Sequence, residues 1–133
     1  PLMESIRKKY ICKKQIKKGR SGTKELLLNF KKGTSIALMI DQRVSEGIRV
    51  DLFNEKALTT TIPAQFIKKF GAKIIPVHIE RINIEKFNIT FQDPIKFSKN
   101  SSIESITSKL NNLLEEMIKK NPSQWIWSHN RWK

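Results

Sequence analysis

Cysteine is nearly missing from this chain: Cys12 is the one thiol in 133 residues. That excludes an internal disulfide and suits a reducing compartment. Long hydrophobic runs are missing too. None approaches the roughly 20 apolar residues that cross a bilayer, and no signal-peptide pattern is present. Acidic residues are scarce, 12 against 26 lysines and arginines, which leaves a formal net charge of +14. Charge of that size speaks to partners and solubility, not to fold. The candidate partners are nucleic acid, an anionic membrane surface, a phosphorylated ligand or an acidic protein. Histidine is limited to His78 and His129, and neither has a ligand partner at metal spacing. Cys12 with a distant histidine makes no credible nucleophile–base pair. The residues present therefore form no complete catalytic constellation, and both histidines read as structural.

What is present is concentrated at the C-terminal end. Residues 121–133, Asn-Pro-Ser-Gln-Trp-Ile-Trp-Ser-His-Asn-Arg-Trp-Lys, hold all three tryptophans. Chain ends are usually polar and poorly ordered unless something ties them down. An aromatic-rich end ought to be docked, on its own domain or on a membrane or partner. The chain as a whole fits a globular protein with a modest core: 38% of residues are apolar and 29% charged. No repeat or low-complexity linker interrupts it.

Periodicity predicts the elements. Residues 4–18 read as a very basic helix with a loose apolar stripe, closed by Gly19. A better helix runs over 23–32, with Leu26, Leu27 and Phe30 on its stripe and Gly33 at its end. Residues 35–40, Ser-Ile-Ala-Leu-Met-Ile, are the continuously apolar run of a strand buried on both faces. Residues 49–53 alternate as a strand, and Asn54-Glu55 makes a turn. Residues 62–70 form a short amphipathic helix closed by Gly71. Residues 73–80 read as a strand with Ile75, Val77 and Ile79 on one side, and residues 86–93 as a half-exposed strand. Ser101 and Glu104 make a capping box for a helix that runs to about Lys120, where Pro122 stops it. The order α-α-β-β-α-β-β-α indicates an α/β fold with a mixed sheet flanked by helices.

Three stretches could carry chemistry. Asp41-Gln42 follows the expected buried strand, at the edge where open α/β sheets place their ligand crevices. Asp41 could equally cap a turn or pair with Arg43. Gly19-Arg20-Ser21-Gly22 precedes a helix N-terminus and could grip phosphate, although it lacks P-loop spacing and also reads as a solvated linker. The basic run 7–20 could meet nucleic-acid phosphates, but only Tyr10 interleaves with it and no nucleic-acid motif appears. A solvated lysine-rich face is the plainer reading.

Taken together, Lys-Gly-Arg-Ser-Gly (18–22), Lys32-Gly33, the apolar run, Asp41-Gln42, Gly47-Ile48, Phe53, Thr59-Thr60-Thr61, Gly71-Ala72, Pro76 and the closing Pro122-Ser-Gln-Trp-Ile-Trp-Ser-His-Asn-Arg-Trp resemble the bacterial lipid A biosynthesis acyltransferases, of the late lauroyl/myristoyl type. The resemblance covers essentially the whole chain. It implies a glycerolipid-acyltransferase-like domain, of which residues 1–133 are the C-terminal portion. It also implies an enzyme at the cytoplasmic face of the inner membrane of a Gram-negative bacterium. Such an enzyme moves a fatty acyl chain from acyl carrier protein to a hydroxyl of the lipid A precursor in lipopolysaccharide synthesis. No cofactor, metal or nucleic acid is expected.

The family's catalytic motif is His-x4-Asp/Glu, with the histidine as general base. Neither histidine here is followed at that spacing by an acid. The motif and the family's membrane helix are therefore expected upstream of Pro1, and residues 1–133 alone are expected to be inactive. The start at Pro1-Leu2, without an initiator methionine, reads as the middle of a longer protein. Carried onto this sequence, Arg20 matches the arginine expected to engage an anionic part of the substrate. Asp41 and Gln42 match an acidic/polar pair at the active-site edge, and Thr59 a threonine in the following block. Asp41 cannot favour a phosphate, since like charges repel; its expected role is to orient Arg20 or Arg43. Two positions depart from the family pattern: Asn54 stands in place of a usual Gly, and Asn130 in place of a usual Arg. The rival class is a small basic module that binds nucleic acid or membrane without catalysis, and the gene upstream of Pro1 separates the two.

Overall fold

The computed structural model describes residues 2–16 and 20–133, Arg20 by its backbone alone. Lys17, Lys18, Gly19 and the Arg20 side chain, all part of the readings above, lie outside the described residues. The chain divides into two units, Pro1–Leu38 and Met39–Lys133.

The first unit holds two helices. α1 spans Leu2–Tyr10 and buries no residue, so the helix expected over 4–18 starts earlier and ends sooner. Its stripe is too loose to gain from packing, and packing is what sustains most helices. An exposed Lys8–Glu4 pair at 2.9 Å spans one turn of it. α2 spans Arg20–Lys31. Gly33 follows at φ 81° and donates its N–H to Phe30 O at 2.9 Å, the glycine stop expected there. Asn29 is buried, accepting from Lys14 Nζ at 2.8 Å and donating to Glu25 O at 2.8 Å.

The apolar run 35–40 is not a strand. Leu38 and Met39 are 40% and 75% exposed. A buried strand needs neighbours to accept its ladder bonds, and no described residue pairs with this run. Asp41 consequently sits in an irregular loop and not at a strand end.

The second unit carries the core. β1 (Ile48–Leu52) and β2 (Glu55–Thr59) pair antiparallel, from Ile48 opposite Thr59 to Leu52 opposite Glu55. A two-residue hairpin whose strands twist normally needs φ above zero at both turn positions. Phe53 and Asn54 adopt φ 55° and 63°, so Asn54 takes the left-handed turn that asparagine tolerates. β2 was not legible beyond its opening turn.

α3 spans Ile62–Phe70 as expected, with Pro63 in its first turn and Gly71 closing it in the left-handed region. α4 spans Ile103–Lys120. Its cap is Ser102, whose Oγ accepts from Ser105 N at 3.0 Å, one residue later than the expected Ser101–Glu104 box. Two clusters line α4: Leu114 and Ile118 meet Leu52 and Ala57 of the first hairpin, and Ile106 and Leu110 meet Ala64 of α3.

β3 (Val77–Arg81) and β4 (Phe87–Phe91) form a second antiparallel hairpin, shorter than the strands expected over 73–80 and 86–93. The α/β character holds, and its strands are arranged as two separate two-stranded antiparallel sheets. Val77 and Ile79 do share a side, but that side faces outward. With their cross-strand partners Ile89 and Phe91 they are 42–71% exposed. β4 is exposed along its whole length, more than the half-exposure expected, because no described residue covers the apolar side.

Candidate active-site edge

The first hairpin positions a buried polar cluster. Gly47 leads into β1 so closely that a Cβ there would run into the Thr59 carbonyl oxygen. Thr59 is buried, and its Oγ1 donates to Ala57 O at 3.1 Å. The same oxygen accepts from Asn111 Nδ2 of α4 at 3.2 Å and from an Arg131 Nη at 2.9 Å. Arg131 is 1% exposed, and its other Nη donates to Leu58 O at 2.6 Å. Asn111 also donates to Asp51 O at 2.8 Å. A guanidinium, a helix amide and a hydroxyl thus converge on one strand end.

This cluster carries an unbalanced charge. Burial pushes the Arg131 guanidinium below its ordinary pKa, and the charge of Asp41 pulls it partly back up. Arg131 Nε and Asn111 Oδ1 are buried without a hydrogen-bond partner among the described residues.

The C-terminal tail delivers Arg131 to this place. Pro122–Gln124 and Trp127–His129 are short 3-10 turns, and Asn130 reverses the chain at φ 42°. Trp132 Nε1 donates to Leu52 O at 2.9 Å, and Trp127 Nε1 to Pro122 O at 2.8 Å. Trp125 meets Trp127 and Trp132 edge-on, with centroids 4.7 and 5.9 Å away, and Phe53 packs beside Trp125 and Trp127. Gln124 accepts from Arg81 N at 2.7 Å and donates to Arg81 O at 2.8 Å, tying the tail to β3 as well. The tail is docked on its own domain.

It also reaches the Asp41 loop. Arg43 donates its backbone N–H to His129 Nε2 at 2.9 Å, and Ile40 packs against the Ala64–Ile106–Leu110 cluster. Asp41 and Gln42 are half-buried, and the Arg43 side chain is exposed. Gln42 makes a long contact to Met39 Sδ at 3.5 Å.

The structure therefore brings Asp41, Gln42 and Thr59 into one neighbourhood through Arg131 and His129. Arg131 lies within the field of Asp41, and no ion pair among the described residues joins Asp41 to Arg43. Thr59 spends its hydroxyl on three bonds inside the chain. Among the described residues no helix is long and apolar enough to cross a membrane.

The model of the bacterial lipid A biosynthesis acyltransferase family matches residues 5–133. The chain belongs to this family. No curated protein matches it.

Within the family frame, two residues of the cluster were not singled out from sequence. Arg131 was one cation of an aromatic motif, with nothing to say that it is buried. Asn111 did leave a signal: with Thr107, one turn earlier, it is a polar residue on the apolar stripe of α4, and such residues usually have a specific buried partner.

Proposed function

We propose that these residues form a substrate-holding edge of an O-acyltransferase that moves a fatty acyl chain from acyl carrier protein to a hydroxyl of a lipid A precursor. In that reaction the acceptor oxygen bonds the acyl carbon as the thioester C–S bond breaks. The hydroxyl proton passes through a general base to the departing thiolate. His129 is not that base: its Nε2 is occupied by the Arg43 N–H. The base belongs to the His-x4-Asp/Glu motif that the resemblance implies, and residues 39–133 contribute binding.

The observation that carries this reading is the family match over residues 5–133, joined to the charge of Asp41 acting on the buried Arg131. Asp41 and Arg131 attract each other, which holds Asp41 and Gln42 at the edge and leaves the exposed Arg43 available to an anionic group of the acceptor. Arg20 is proposed, from the family resemblance, to engage an anionic part of the substrate. The formal net charge of +14 complements an acidic carrier protein, a phosphorylated acceptor and an anionic inner-membrane surface at its cytoplasmic face, each well-placed cation adding about 1 kcal/mol at such a surface. The non-catalytic basic module has only this charge in its support.

The test is Asp41→Ala in the enzyme expressed from the complete reading frame, assayed for transfer of labelled acyl chain from carrier protein to lipid A precursor. Activity should fall by roughly tenfold or more, equivalent to about 1.4 kcal/mol of transition-state binding. Near-normal turnover would overturn the role given to Asp41.

A further inference from the structure

We infer that His129 is a positioning residue: its Nε2 fixes the backbone at Arg43 and thereby sets the Asp41-Gln42 edge. This rests on the acyltransferase reading for its effect on turnover, but the contact itself does not.

Residues 39–47 have no helix or strand. Their backbone must be held from outside, because ordering each residue costs about 1–2 kcal/mol. Two holds flank Asp41-Gln42 among the described residues. Ile40 is gripped by the Ala64–Ile106–Leu110 cluster, and on the far side of Asp41-Gln42 the Arg43 N–H reaches His129 Nε2 at 2.9 Å. The loop is pinned at both ends of the pair that is to meet substrate.

His129 can act as a pin because it is itself fixed. Its N–H donates to Ile126 O at 3.2 Å. Two residues later, Arg131 is locked to Leu58 O and Thr59 Oγ1, and Trp132 to Leu52 O. The tail thus transfers the rigidity of the first hairpin to the loop. The bond needs a lone pair on Nε2, so the neutral ring must carry its proton on Nδ1. Glutamine can replace that acceptor with its side-chain oxygen; alanine cannot. The histidine is exposed, so its replacement leaves the core intact.

The test compares His129→Ala with His129→Gln in the enzyme from the complete reading frame, by steady-state kinetics and by amide hydrogen exchange over residues 39–47. His129→Ala should raise KM for the lipid acceptor by roughly two- to tenfold, the span of one net hydrogen bond, with a smaller effect on kcat. It should also speed exchange of the Arg43 amide, and His129→Gln should restore both. An unchanged KM and exchange rate in the alanine variant, or a glutamine variant as impaired as alanine, would overturn the inference. The exchange measurement judges the contact without reference to catalysis. A wild-type enzyme without acyl transfer would instead refute the functional reading, and the two failures are distinguishable.

Discussion

Arg131 offers the sharpest test of how this chain is built. The guanidinium is buried without a salt bridge among the described residues, and it donates to Leu58 O and Thr59 Oγ1 at 2.6 and 2.9 Å. Hydrogen bonds from a charged donor contribute about 1.5–3 kcal/mol each. Against that stands the cost of burying a cation, visible in the direction of its pKa. Replacement by alanine also leaves Leu58 O without its guanidinium donor, whereas Thr59 Oγ1 keeps Asn111. The balance predicts that Arg131→Ala destabilises by about 2–4 kcal/mol, a large part of a domain's 5–15 kcal/mol. Arg131→Met keeps the aliphatic stem and removes the charge with its desolvation cost, so its loss should be smaller, about 1–2 kcal/mol. Equilibrium urea unfolding measures this directly. The chain's three tryptophans all lie in the tail, so their fluorescence follows tail docking while far-UV circular dichroism follows the helices. A shift below about 0.5 kcal/mol for Arg131→Ala, the level of an ordinary surface substitution, would refute the anchoring role.

Gly47→Ala should cost about 1–3 kcal/mol, because the new Cβ meets the Thr59 carbonyl; thermal unfolding at matched concentration checks it. Ser102→Ala should cost about 1 kcal/mol through loss of the α4 cap, and Ser102→Asp should keep it. The exposed apolar side of the second hairpin, Val77, Ile79, Ile89 and Phe91, should make the isolated chain associate. Light scattering should then fall in Ile79→Lys, and unchanged scattering would mean the face is not adhesive. Lys119 has its pKa raised by its hydrogen bond to Glu116 and the nearby charge of that carboxylate. Its contribution is present at neutral pH and lost as pH rises through the folded-state pKa, so Lys119→Met should be less stable than wild type at neutral pH and the difference should vanish toward the alkaline end of a pH–stability profile.

The sequence by itself determined the elements whose patterns are local. α3 and α4 follow from unbroken helical spacing with glycine, serine and proline at their ends, and β1 from its alternation. A turn was legible at Asn54-Glu55, one residue later than the Phe53-Asn54 turn that forms, and the long aromatic motif was enough to point to the family. Partners distant in sequence were beyond its reach. The run 35–40 has the composition of a buried strand, but a strand is defined by the chain beside it, and no described residue pairs with it. The same dependence turned the apolar side of β3 outward.

At the candidate site, sequence pointed to Asp41, Gln42 and Thr59 and offered Arg20 or Arg43 as the cation for Asp41 to orient, without singling out Arg131. That Arg131, ninety residues away, stands in the field of Asp41 is a matter of where the tail docks. That is decided by Trp132 on Leu52, Arg131 on Leu58 and His129 under Arg43, contacts that no local pattern encodes. The tertiary structure made the tryptophan-rich end a clamp, because only folding brings its donors and acceptor to the backbone groups they satisfy.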